Sequence, residues 1–117
     1  MPHHLLVCKE LGELLGVLAH PHRIRIVEEL RHGERDVNTM QAILEVSHSS
    51  VSQHLAVLRA HRIVAERREG RHVFYHLRQP DLARWLIEGT RFLEDDQTHS
   101  ETIRQAIQIV RAEWQEE

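Results

Sequence analysis

Cysteine occurs once in the 117 residues, at Cys8, so no disulfide closes within the chain and no thiolate cluster gathers around a metal inside one subunit. Thiol chemistry would have to run between subunits or with a small molecule. Glycine is scarce, at five residues, which leaves little material for phosphate-cradling loops. The chain has no GxSxG elbow, no HExxH helix and no CxxC pair, so the motif-borne routes to an enzyme are closed and none is expected. No apolar run is long enough to span a bilayer, and the N-terminus lacks the charged, apolar and small-residue succession of a secretory signal. The expected compartment is the cytoplasm.

The chain does hold enough apolar sequence for one core. A hydrophobic content of 41% over 117 residues suits one compact unit and is too little for two ordinary domains. One domain over 1–117 is the expectation.

The net charge of -3 argues against a polyanionic partner only if it is evenly spread, and it is not. Residues 47–78 carry six Arg against Glu66 and Glu69, with five of the eleven histidines. Residues 79–117 carry nine acidic side chains against four Arg. The basic stretch is either a nucleic-acid footprint or a solvated Arg-rich surface, and charge alone does not choose between them.

Periodicity sets out the elements. Leu5, Cys8, Leu11, Leu15 and Leu18 recur at threes and fours, an amphipathic first helix on whose apolar stripe Cys8 behaves as a small buried hydrophobe. Pro21 suits the first position of a second helix, with Ile24, Val27 and Leu30 inward and Gly33 as its stop. Asn38 and Gln41 have capping-box spacing, which predicts a short third helix over 38–46. Ser47 caps a fourth, in which Val51, Leu55 and Leu58 form the buried stripe. Its opposite face holds His48, Ser49, Ser52, Gln53, Ala56 and Arg59. These side chains are mostly short and rich in hydrogen-bonding groups, unlike the long Glu and Lys chains that solvate an ordinary helix.

IVAERR and RHVFYHL then read as a β-hairpin joined at Glu69-Gly70, with Arg67, Arg68, Arg71 and His72 about its tip. Gln79-Pro80 opens a helix whose apolar positions Leu82, Trp85, Leu86, Gly89, Phe92 and Leu93 form a stripe in want of a partner. Ser100 caps a last helix with Ile103, Ile107, Val110 and Trp114 on one side. Four helices, a basic hairpin and two more helices make a mainly α, α+β chain on the winged helix-turn-helix plan. The helix-turn-helix falls at about 38–60, the wing at about 63–77 and the C-terminal helices at about 80–115.

In LAHPHRIRIVEEL, VSHSSVSQHLAVLRAHRIV and REGRHVFYHL the chain resembles the ArsR/SmtB family of bacterial repressors over roughly residues 12–95. The resemblance implies a homodimer joined through its first and C-terminal helices. It also implies a palindromic double-stranded DNA operator and release by a metal, an oxidant or another inducer.

Physical chemistry names the same reading head. Ser49, Ser50, Ser52, Gln53 and His54 offer short donors and acceptors to base edges, while Arg59, Arg68, Arg71 and His72 suit phosphates or the adjacent minor groove. Ser50 has a second reading as part of the helix cap, and His54 as a hydrogen-bonding group inside the helix-turn-helix. Strand neighbours point to opposite faces, so one of Arg67 and Arg68 faces DNA and the other does not.

The family's metal sites fit poorly. The thiolate site needs cysteines that GERDVNTMQAILEV lacks, and the fifth-helix zinc positions are matched here by Gln79, Asp81, Phe92 and Asp95, too few good ligands for tetrahedral zinc. A different effector site would use Asp95 and His99 with His3 and His4, whose nitrogen and oxygen donors suit nickel, cobalt or zinc. The alternative is an ordinary solvated His pair and acidic run. The rival to DNA binding is a winged-helix module for an acidic protein, against which the polar outer face of 48–59 argues.

Overall fold

The computed structural model describes residues 2–94 and 100–115. Helix α1 (Pro2–Leu18) leads into α2 (Pro21–Glu29), a 3-10 turn at Leu30–His32 and a two-residue strand β1 (Arg35–Asp36). Helices α3 (Val37–Leu44) and α4 (His48–Ala60) form the helix-turn-helix; β2 (Val64–Glu69) and β3 (His72–Leu77) form the wing. Helices α5 (Asp81–Glu88), α6 (Arg91–Glu94) and α7 (Glu101–Gln115) complete the described chain.

Local chemistry sets most boundaries. Pro21 opens α2 as expected, with His20 as N-cap accepting a hydrogen bond from the His22 N–H. Gly33, at φ 115°, ends the 3-10 turn that extends α2. Ser47 caps α4 through the Ser50 N–H at 3.1 Å. In the wing, Glu69 pairs with His72, leaving Gly70 and Arg71 as a two-residue loop. Gly70 has φ 60° and Arg71 a negative φ, the pattern of a II′ hairpin, whose twist suits the strands.

Val51, Leu55 and Leu58 of α4 are fully buried, together with Ile26, Val27 and Met40, and Val17, Leu18, Leu30, Ile63, Val64, Leu77 and Ala83 complete one continuous core. That core fixes α4 from beneath and leaves its outer face free.

Several expectations are corrected. The cap of α3 is Asp36, whose carboxylate accepts from the Thr39 N–H at 2.8 Å, so the helix starts before Asn38. The wing belongs to a three-stranded antiparallel sheet in the order β1-β3-β2, because Arg35 and Asp36 pair with Tyr75 and Phe74. In α2 it is Ile26 that is buried, while Ile24 is 42% exposed and turned to the cleft under α5 and α7. The helix begun at Asp81 is interrupted at Gly89-Thr90, where the Thr90 hydroxyl donates to the Ile87 carbonyl at 2.6 Å. Cys8 is exposed within the protomer, since α1 meets the core only near its C-terminal end, where Leu14 packs against it and Val17 and Leu18 are buried.

Two long-range contacts seat α7 on the domain. Trp114 Nε1 donates to Glu28 at 3.1 Å, and the Arg31 guanidinium lies 4.2 Å from the Trp114 ring centroid. Arg111 and Glu94 join α7 to α6 at 2.9 Å. No helix among the described residues is long and apolar enough to cross a membrane.

Candidate nucleic-acid interface

With Val51, Leu55 and Leu58 pointing down, the helical repeat turns Ser49, Gln53 and Ala56 outward, and all three are exposed. Ser52 is half-buried on the edge of that face, its hydroxyl 3.5 Å from His48 Nδ1. Ser50 is likewise half-buried, and its backbone N–H is the group that Ser47 captures. His54 turns to α2 and hydrogen-bonds inside the helix-turn-helix, where its Nδ1 accepts from Arg23 Nε at 3.3 Å. Its ring centroid lies 4.4 Å from that of His20 and 5.7 Å from that of His22. Burial first, then the electrostatic influence of neighbouring His20, Arg23 and His22, holds the His54 pKa below its ordinary value.

The wing sorts its arginines as strand alternation requires. Arg67 donates to both Glu34 carboxylate oxygens at 3.0 and 3.1 Å, and to Glu69 at 2.7 Å. Its guanidinium also stands 4.9 Å from the ring centroid of Phe74, its partner across the strands. It therefore braces the wing against Glu34 and holds the Glu69 carboxyl below the usual carboxylate range. Arg68 points the other way, 72% exposed, with only a long 3.7 Å approach to Glu66. Arg71 and His72 are exposed at the tip. Arg59 of α4 reaches Glu66 of β2 at 2.8 Å, tying reading helix to wing.

The surface thus presents short polar side chains on one helix, flanked by Arg59 on one side and by Arg68, Arg71 and His72 on a projecting hairpin. A helix of this width enters a major groove, and a basic hairpin beside it meets the phosphates or the next minor groove. Among the expected metal ligands, His3 and His4 are exposed in the first turn of α1; Asp95 and His99 lie outside the described residues.

The sequence matches the family model described as bacterial regulatory protein, arsR family, over residues 20–66, from the α2 cap into β2. It is 42% identical over 80 residues to the biofilm growth-associated repressor of Agrobacterium fabrum, covering 68% of each chain. The transcriptional repressor SmtB of Mycobacterium tuberculosis is 40% identical over 85 residues, 73% of this chain and 63% of that protein. This chain belongs to the ArsR family. The fold agrees: reduced HlyU from Vibrio cholerae superposes with a TM-score of 0.70 at 29% identity, over 79% of this chain and 97% of that one. The ArsR match contains α3, α4 and the cluster around His54, whereas the wing tip, α1 and the C-terminal helices fall outside it.

Proposed function

We propose that this ArsR-family chain is a transcriptional repressor that binds palindromic operator DNA as a homodimer, and is not an enzyme. The observation that carries the reading is the outer face of α4. Ser49 and Gln53 stand outward, with Ser52 at the edge of their face, on a helix whose opposite side is locked into the core, so base-edge donors and acceptors sit on a rigid support. Arg59, Arg68, Arg71 and His72 supply the phosphate contacts that set register.

The homodimer is supported by apolar side chains that the protomer leaves uncovered. Leu5, Val7, Leu11 and Leu15 on α1, with Trp85, Phe92 and Ile109 on the C-terminal helices, are all exposed. Faces of this extent mark an interface. A two-fold axis through them carries two reading heads, which must stand about one DNA turn, roughly 34 Å, apart to enter successive major grooves.

The test is a fluorescence-anisotropy titration of the duplex upstream of the protein's own gene against a scrambled duplex of equal length, at several salt concentrations. Preference for the promoter duplex with a stoichiometry of one dimer per site supports the repressor. Equal affinity for both duplexes removes it and leaves the winged-helix protein-interaction module.

A further inference from the structure

Behind the reading face, three imidazoles from two helices converge. His20 is the N-cap of α2 and His22 its second residue, while His54 comes from the middle of α4. One ring nitrogen from each lies within 4.8 Å of the other two, and all three residues are half-buried. Among the described residues this is the only such gathering of His, Cys, Asp or Glu side chains. Tetrahedral zinc with Zn–N bonds of about 2.0–2.1 Å spaces its nitrogens about 3.4 Å apart.

We propose that His20, His22 and His54 form a site for a borderline divalent transition metal (zinc, nickel or cobalt), and that filling it changes how α4 meets DNA. Three imidazoles with no thiolate or carboxylate match that class of ion, and water completes the coordination.

The hydrogen bonds already present give the coupling. His20 Nδ1 accepts from the His22 N–H at 3.1 Å, and His54 Nδ1 accepts from Arg23 Nε at 3.3 Å. A neutral imidazole that accepts at Nδ1 carries its proton on Nε2. A metal taking Nδ1 displaces the donor; a metal taking Nε2 sends the proton to Nδ1, which then no longer accepts. Either way the α2 cap and the Arg23–His54 link are both lost. Arg23 keeps its bond to the Val17 carbonyl at 3.1 Å and is repelled from the bound cation. The contact between α2 and the reading helix is therefore rebuilt around the metal. Arg23 and the positive end of the α2 dipole both oppose a cation, so the site exchanges its ion more readily than a structural zinc site would.

The effect on DNA rests on the repressor reading above, whereas the metal site itself does not, and the experiment separates the two. Metal-free full-length protein is titrated with cobalt(II), followed by visible absorption, and with zinc against a chromophoric chelator. The same protein is then titrated with the promoter duplex, with and without zinc. His22→Gln removes one ligand and leaves both hydrogen bonds in place, because the His22 side chain makes neither. His54→Gln removes another, and thermal melts confirm that each variant folds.

One ion per protomer is expected, with affinity falling at least about tenfold in each variant. A zinc-dependent shift in promoter affinity is expected in the wild type and absent in His22→Gln. Unchanged metal binding in both variants, or binding lost instead in His3→Gln/His4→Gln, overturns the site. Metal bound at the cluster with promoter affinity unaltered overturns the coupling alone. No promoter preference under any condition overturns the repressor reading, while the cobalt spectrum still decides the site.

Discussion

At the scale of single residues, the proposed interface divides labour between side chains that specify and side chains that hold. Gln53 stands fully outward on α4 and presents a fork of donor and acceptor, so Gln53→Ala is expected to relax preference at one position of each half-site, by about 1–3 kcal/mol of discrimination. Arg71, exposed at the wing tip, is assigned in this reading to phosphates or the adjacent minor groove rather than to major-groove base edges. Arg71→Ala is expected to weaken specific and random duplexes alike and to reduce the salt slope by about one per head. Anisotropy titrations on promoter and scrambled DNA distinguish the two, and equal losses on both duplexes for both variants would sink the division. His54 makes a different prediction, about pH. Its folded pKa lies below the ordinary value of 6.5, first because of burial. Between those two values the unfolded chain holds more protons than the folded one, so stability rises with pH across the window and falls on acidification below 6.5. Urea midpoints measured from about pH 5 to pH 7 should show that slope in the wild type and a flatter one in His54→Gln. Parallel curves would mean that His54 is not the group responsible.

At the scale of elements, the position of α4 depends on caps and braces at its borders. Asp36 lies in β1 and its carboxylate closes the N-terminus of α3, so one residue joins the helix-turn-helix to the sheet, by its side chain on one side and its backbone on the other. Asp36→Ala is expected to cost about 1 kcal/mol, and Asp36→Asn much less because Asn caps comparably. Thermal melts of the two variants check this, and equal losses would assign the effect to something other than the cap. Those borders also show what the sequence disclosed. Pro21, Ser47, Gly70 and the Val51–Leu55–Leu58 stripe act within a few residues of themselves, so spacing alone located α2, α4 and the hairpin. The wrong cap for α3 came from the same kind of reasoning. Asn38 has the better pattern, but Asp36 is already extended by pairing with Phe74, a partner far along the chain. Distance in sequence likewise hid the Glu34–Arg67 brace and the meeting of His20 and His22 with His54. The wing arginines were half legible: alternation said that one of Arg67 and Arg68 turns away, and Glu34 decides that it is Arg67.

At the scale of the whole molecule, the protomer looks unfinished. Its core lies beneath α2, α4 and the sheet, while α1 runs seventeen residues and buries only Val17 and Leu18. Leu5 is 73% exposed and Phe92, on the other flank of the chain, 77%. An isolated helix held at one end is marginal in water, so the apolar face of α1 needs a partner, and a second copy supplies an identical one. Leu5→Glu with Leu11→Glu brings charge into that face, places like charges near each other across a two-fold axis and leaves the core untouched. Light scattering should then show the mass halved, and far-UV circular dichroism should retain the helices of the helix-turn-helix. Operator affinity should fall by about 10²–10⁴, because one head no longer raises the effective concentration of the other. Affinity for a single half-site should stay near that of the wild type, since Gln53 and the wing are unchanged. A variant that remains dimeric with full operator affinity would move the interface away from α1. A monomer with full operator affinity would instead show that one head suffices, and the palindrome would lose its physical reason.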